Sequence, residues 1–373
     1  MIITDVEAIW LRVPSFDQPC EWGEDAFIVR IHTDTGLVGV GESDSSPAVL
    51  RAIVETPASH STCRGLREIL IGRNPLDIDG LWRAMLDESS YMGRSGAAVH
   101  AISAIDIALW DLAGQHAGVP VHHLLGGALR DSIPAYGTFI PSSDPQESAA
   151  RAGALVEQGF RAMKIGGGPF GLDPDQDHET LRAVRKAIGS EIGLAVDLVY
   201  RWRDYQYALD QTRMFAEFDL MWVEEPISPD DPTGLRRLGE DSPTPISGGE
   251  FLSTAPEFEA FIHDTRPAIV QPDITRCGGI TEIRRINQLA TRASCRLVPH
   301  GFSTGILMAA TSHFLSSIPG GDLIECSQST SPLARGLVAN PLQLEVGNLR
   351  IGTAPGLGIE LDEELLERYR VRC

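Results

Sequence analysis

Eight polar side chains stand at the ends of eight short apolar runs in this chain: Thr138, Lys164, Asp197, Glu224, Glu250, Asp273, His300 and Glu325. All but Thr138 are ionisable. Asp197, Glu224 and Glu250 close three successive runs. Three carboxylates converging on one spot repel each other unless a cation joins them. All-oxygen ligation with positions left for water and substrate suits Mg2+; zinc would prefer His or Cys. Glu225 directly follows Glu224, and alternation along a strand points it the other way. Asp273 and His300 close the next two runs. On adjacent strands the carboxylate would fix the imidazole tautomer and raise its basicity, making His300 a general base. Lys164, across the pore, would neutralise a substrate carboxylate or, if desolvated, act as a second base. Glu325 would donate a hydrogen bond if its pKa were raised, or stand as a surface carboxylate.

Such convergence needs a scaffold. The runs start at Ile133, Ala162, Gly193, Leu220, Pro245, Ala268, Arg296 and Leu323, separated by 23 to 31 residues. That spacing holds one strand and one helix per step, and eight steps predict a parallel (β/α)8 barrel with its site at the C-terminal strand ends. In ETLRAVRKAIG, Leu181, Val184 and Ile188 share one helix face. The N-terminal part reads as α+β. IITDVEAIWLRV and AFIVRIHTDTGLVGVGES are strands, the second broken by a TDTG turn. HAISAIDIALWDLAGQHAG is a helix with Ile102, Ile105, Leu109 and Leu112 at helical spacing, closed by Gly118 and Pro120. The tail APGLGIELDEELLERYRV predicts a turn and a helix packing back on the N-terminal part. The expected α/β organisation is a capping domain over 1–128, a barrel over 129–345 and a returning segment over 346–373.

The 373 residues carry 31 basic and 51 acidic side chains, a net charge of −20. That balance argues against nucleic acid and anionic membrane surfaces as partners. No apolar run approaches the ~20 residues of a membrane span. MIITDVEAIWLRV has no basic region or cleavage site, so no signal peptide is expected. The six cysteines (Cys20, Cys63, Cys277, Cys295, Cys326 and Cys373) form no CxxC pair and predict reduced, mostly core thiols in a cytoplasmic protein.

Taken together, the residues resemble the enolase superfamily and, within it, the mandelate racemase subgroup. AISAIDIALWDLAGQHAGVPVHHLLGG is similar to the helical signature ahead of that family's barrel. FRAMKIGGG, AVDLVYRW, WVEEP, SGGE, QPDITRCGGITE and VPHGFSTG are similar to its successive strand ends. The resemblance implies a capping domain, a modified barrel and a C-terminal segment returning to the cap. It implies Mg2+ on Asp197, Glu224 and Glu250, a base dyad of Asp273 and His300, and Glu325 on the substrate carboxylate. The shared chemistry is proton abstraction α to a carboxylate, giving a metal-stabilised enediolate. Symmetric homo-oligomers are also implied.

Two departures bear on mechanism. The family's Lys-x-Lys is here Lys164-Ile165-Gly166, without the second lysine, and its Asp-x-Asn is Asp197-Leu198-Val199. One armed face suits syn β-elimination: His300 takes the α-proton and returns a proton to the departing 3-hydroxyl. The expected activity is therefore dehydration of a sugar acid, aldonate or aldarate, to a 2-keto-3-deoxy acid. A cycloisomerase of a lactone or anhydro sugar acid would use the same base. An epimerase or racemase would need Lys164 or Tyr200 as the second. A sugar-acid-binding protein on an inactive barrel is the non-enzymatic alternative. Substrate contacts are expected from Thr138, Lys164, Tyr200 and Ser303, and from the cap loops Ser15 to Trp22, Ser43 to Ser46 and Tyr91 to Arg94. Arg94 would pair with the distal carboxylate of a diacid.

Two motifs mislead. Gly166–Gly171 fits G-x-G-x-x-G, but Pro169 and an acidic stretch follow where a phosphate-binding helix should open. Gly301–Gly305 fits G-x-S-x-G, but no triad in the required chain order follows Ser303.

Overall fold

The computed structural model describes residues 1–14 and 24–372. Three antiparallel strands, β1 (Ile3–Arg12), β2 (Asp25–Thr33) and β3 (Val38–Ser43), form the N-terminal sheet. Helix Ala97–Ala117 packs against β3 on one side and helix Gly279–Arg292 on another, which explains why it is apolar all round. Contrary to the sequence expectation, this helix has the length and hydropathy of a membrane span. It is a core helix all the same: 83% of its most apolar window is buried inside the protein. Its two central acids are taken up by protein donors. Asp106 accepts from Thr281 N at 2.9 Å and Oγ1 at 2.5 Å. Asp111 accepts from Val40 N at 2.9 Å and Leu357 N at 2.8 Å.

Each of the eight predicted runs holds a strand: β4 (Ser132–Phe139), β5 (Ala162–Gly166), β6 (Gly193–Asp197), β7 (Val223–Glu224), β8 (Ile246–Gly248), β9 (Ile269–Val270), β10 (Arg296–Leu297) and β11 (Ile324–Ser327). The parallel ladder runs β11-β4-β5-β6-β7-β8-β9-β10. Among the described residues it is open between β10 and β11. Several βα turns end on an aspartate that caps the next helix. Asp144, Asp173 and Asp231 each precede a proline at the first helical turn and accept a backbone N–H. Part of the acidic excess is therefore helix capping. Below the strand ends, Tyr136, Ala162, Ala195, Trp222, Ile269, Val298 and Leu323 form a separate buried cluster, an apolar floor for the polar layer above it.

A hairpin of β12 (Leu344–Glu345) and β13 (Asn348–Arg350) pairs antiparallel with β4. Beyond it, helix Glu363–Tyr369 leads to a bridge between Leu11 and Arg370 and an ion pair of Arg370 with Glu7 at 2.8 Å. The chain end thus lies on the N-terminal sheet. Cys63, Cys277, Cys295 and Cys326 are free thiols; Cys20 and Cys373 lie outside the described residues.

The N-terminal part is fastened to the barrel by buried carboxylates at helix starts. Glu42, at the end of β3, accepts from Leu307 N at 2.9 Å, Thr304 N at 3.3 Å and the Thr304 hydroxyl. Asp106 does the same for helix Gly279–Arg292. Gly279 has φ +79°, and a Cβ there would lie 2.4 Å from Asp106 Oδ2, so only glycine admits this approach. Burial outweighs the donors and pushes Glu42 up to about 7 from 4.5. A folded pKa above the unfolded one means stability that is fully present below the unfolded value and lost as pH rises through 7. For Glu42 that loss is about 3 kcal/mol. Glu42→Gln keeps acceptor and donor in place, so its melting temperature should fall less than that of wild type between pH 5 and pH 8. Equal slopes in the two melting curves would refute the assignment.

Candidate active site

The ends of β6, β7 and β8 bring Asp197, Glu224 and Glu250 together, with one carboxylate oxygen of each within 4.8 Å of the others. Glu224 is fully buried, Glu250 nearly so, and Asp197 keeps slight exposure toward the cleft. Burial, followed by the charges of Glu224 and, more weakly, Glu250, holds the Asp197 carboxyl well above its usual range. Lys164 and Arg276 reach the group from its sides, but each is shared with a further carboxylate, so acid stays in excess, and an all-oxygen set of this kind fits a hard divalent cation.

Glu224 is held from three sides. Lys164 Nζ lies 2.5 Å from Oε1, while Trp222 Nε1 and Gln271 Nε2 donate to Oε2 at 2.9 and 2.6 Å. Lys164 is itself buried, 3.0 Å from Glu325 Oε1 and 3.9 Å from Asp197. Burial opposes its charge, but Glu224 and Glu325 outweigh that and hold it well above the usual lysine range. Glu325 also accepts from the Tyr136 hydroxyl and from Gly301 N, each at 3.0 Å.

His300 and Asp273 meet as the strand order requires. His300 Nδ1 lies 2.7 Å from Asp273 Oδ2, and Nε2 faces Glu250 Oε2 at 3.2 Å. The other Asp273 oxygen accepts from Thr275 N at 2.7 Å and Oγ1 at 2.6 Å, which fixes the carboxylate plane. Burial favours neutral His300, but the Glu250 charge and the Asp273 bond push it up to about 9; a cation held by Glu250 would offset the first of these pulls and favour the free base. Burial likewise opposes the Asp273 charge, yet His300 and Arg276 draw that carboxyl below its usual range.

Thr138, Lys164, Asp197, Glu250, His300 and Glu325 line one cleft, and the Thr138 hydroxyl is buried there without a hydrogen-bond partner among the described residues. Other predicted contacts stand elsewhere. Val199 and Tyr200 have φ of +48° and +58°, which turns Tyr200 out of the cleft. Its hydroxyl donates to Glu225 and its ring packs on Phe251 in a side pocket. Arg94 is exposed in a separate groove with Trp82 and Glu257. Ser303 is half-buried beside Phe302, which does line the cleft. Trp22 and its loop lie outside the described residues.

Sequence reasoning passed over Arg276. It is buried, 3.1 Å from Glu250, and also bonded to the Asp44 carboxylate and, at 2.9 Å, to the Asp44 carbonyl. Thr275 receives Ser43 Oγ on its carbonyl at 2.8 Å. The loop Ser43 to Ser46 therefore reaches the site through Arg276. The signal was present in QPDITRCGG, one helical turn beyond Asp273.

The model for the mandelate racemase / muconate lactonizing enzyme N-terminal domain matches residues 23–126, and that for an enolase C-terminal domain-like unit matches 147–365. The L-talarate/galactarate dehydratase of Salmonella typhimurium is 33% identical over 93% of this chain and 83% of its own. The 3,6-anhydro-D-galactonate cycloisomerase of Zobellia galactanivorans superimposes with a TM-score of 0.91 at 31% identity, over the full length of both chains. A racemase from Streptomyces coelicolor with bound magnesium gives 0.87 at 30% identity, over 99% of this chain and 100% of the other. The chain is therefore an enzyme of the enolase superfamily, in its mandelate racemase / muconate lactonizing enzyme branch.

Proposed function

We propose that the protein is a Mg2+-dependent sugar-acid dehydratase, with the cation held by Asp197, Glu224 and Glu250. The donor set supports this, being three clustered carboxylates whose flanking cations, Lys164 and Arg276, are each shared with another acid. Mg2+ there would acidify the α-proton by drawing charge from the substrate carboxylate. His300 Nε2 takes that proton while Asp273 holds Nδ1–H and steadies the imidazolium. The imidazolium returns a proton to the leaving 3-hydroxyl. One C–H and one C–O bond break, a C=C bond forms, water departs, and the enol becomes the 2-keto-3-deoxy acid. Lys164, Glu325 and the unpartnered Thr138 hydroxyl would receive the substrate carboxylate and its neighbouring hydroxyl.

One observation carries the choice of elimination over racemisation: among the described residues, only the His300 face holds a group able to take a proton. At Gly166 a Cβ would lie 2.5 Å from both the Cβ and the backbone oxygen of Asp197, so no side chain fits. Lys164 is kept charged by two carboxylates, and Tyr200 gives its hydroxyl to Glu225. A second reading, cycloisomerisation, has support in the likeness to the Zobellia enzyme. The deciding assay incubates aldonates, aldarates, their lactones and anhydro sugar acids with Mg2+ and traps 2-keto acids with semicarbazide. A keto acid from an open-chain acid supports dehydration. Consumption of lactone or anhydro acid alone supports the cycloisomerase, and silence from all open-chain acids overturns the dehydratase.

Gly166→Ala tests the crowding directly. The added methyl must displace Asp197, so the Kd for Mg2+ should rise about 10-fold or more. Stability should drop by about 1–3 kcal/mol. Calorimetric titration and melting read the two effects; an unchanged Kd would show that the strand yields elsewhere.

A further inference from the structure

Besides His300, three cations line the cleft among the described residues: Lys164, Arg201 and Arg276. Two are already neutralised. Lys164 sits between Glu224 and Glu325, and Arg276 between Glu250 and Asp44. Arg201 differs. Its Nη1 donates to the carbonyls of Gly168, at 2.7 Å, and Phe170, which pin the guanidinium over the loop leaving β5. Among the described residues no carboxylate pairs with it at salt-bridge distance. The acid that acts on it, Asp177, takes Gly171 N at 3.0 and 2.9 Å instead. Both bonds use Nη1, so the edge formed by Nε and Nη2 has no protein partner among the described residues. That edge is a two-donor fork matched to a carboxylate.

The surroundings sharpen the meaning of that free edge. The cleft is walled by Asp197, Glu250 and Glu325, with Glu224 and Asp273 behind them, and a second anionic group on a substrate would be repelled over most of its surface. Arg201 follows Asp197 by four residues, and Gly166 to Gly168, which put no side chain in the way, line the wall beside it. An open-chain acid held by one carboxylate near Asp197 can run along this bare wall.

We propose that Arg201 receives the distal carboxylate of a dicarboxylic sugar acid, so that aldarates rather than aldonates are the substrate class. This rests on the sugar-acid reading above and moves to Arg201 the role that the sequence suggested for Arg94. The arrangement is pre-organised: the two carbonyls hold the guanidinium before substrate arrives, so little side-chain order is lost on binding.

The test separates the two claims by measuring binding apart from turnover. In a His300→Asn background with saturating Mg2+, calorimetry compares each hexarate with the hexonate of the same configuration. The best-bound pair should favour the diacid by about 10- to 100-fold, the range for one charge-assisted bond. Adding Arg201→Gln should erase that preference by weakening the diacid and leaving the monoacid unchanged. Arg201→Lys should restore part of it. Mg2+ affinity should not change in either, which separates a lost contact from a disturbed loop. In the active enzyme, Arg201→Gln should raise KM for the diacid far more than it lowers kcat. Equal binding of diacid and monoacid in every pair overturns the proposal, as does a preference that survives Arg201→Gln or equal losses for both acids. Diacid preference without turnover would leave the Arg201 site standing and sink the dehydratase.

Discussion

His300→Asn should lower kcat by about 10³-fold or more while Mg2+ still binds and the melting temperature stays near that of wild type. The expected size follows from the role proposed for the imidazole, which would take the α-proton and deliver a proton to the leaving hydroxyl; a positioned acid–base group contributes about 10²–10⁴-fold for such work. Asparagine keeps a polar partner for Asp273 but titrates nowhere near neutrality. The same variant should lose exchange of the α-proton with D2O, because no other described residue of the cleft offers a free base. Lys164 is charged between two carboxylates, and the wall opposite is Gly166. Steady-state rates with the substrate found by the keto-acid screen give the answer. A loss of less than about tenfold would place the base elsewhere.

The second large effect is a contrast in sign between two substitutions that remove the same charge. Asp197→Asn should leave the metal-free protein as stable as wild type or more so. Asp197 is crowded by Glu224 and, more weakly, Glu250, and asparagine can still accept from Val199 N, now 2.9 Å from Oδ1. Glu224→Gln should destabilise it by about 1–3 kcal/mol, the range for a buried donor left without an acceptor, since Glu325 still pairs with the Lys164 charge. The reason is donor arithmetic. Trp222 and Gln271 both donate to Oε2, so the amide oxygen must face them and the amide nitrogen must face the Lys164 ammonium, donor against donor. Urea melts in EDTA read the difference. Both variants should lose the stabilisation that added Mg2+ gives wild type. Equal destabilisation by both would mean that Lys164 does not depend on Glu224.

Much of this was legible in the sequence because a barrel turns linear order into convergence. Once the eight runs were located, the residue closing each one had to face the same cleft, so Asp197, Glu224, Glu250, Asp273 and His300 could be placed together. What escaped was set by local backbone and by packing between the two parts of the chain. Tyr200 follows Asp197 closely enough to suggest the cleft, but two successive left-handed residues turn it away. Arg276 lies on the turn after β9, and its value depends on Asp44, more than 200 residues earlier, which no periodicity links to it. The helix over Ala97–Ala117 hid its membrane-like composition because its acids, Asp106 and Asp111, break the apolar run that the eye looks for. Arg94 was judged by its loop, whereas the cation that the cleft leaves free comes from the barrel.

On the proposed mechanism, the bare wall at Gly166 also decides the fate of the wrong stereoisomer. A sugar acid with inverted configuration at C2, held by the same carboxylate, turns its hydrogen away from His300 and toward backbone that accepts nothing. It should occupy the cleft and leave intact, a competitive inhibitor, so a natural mixture of epimers would be resolved rather than consumed.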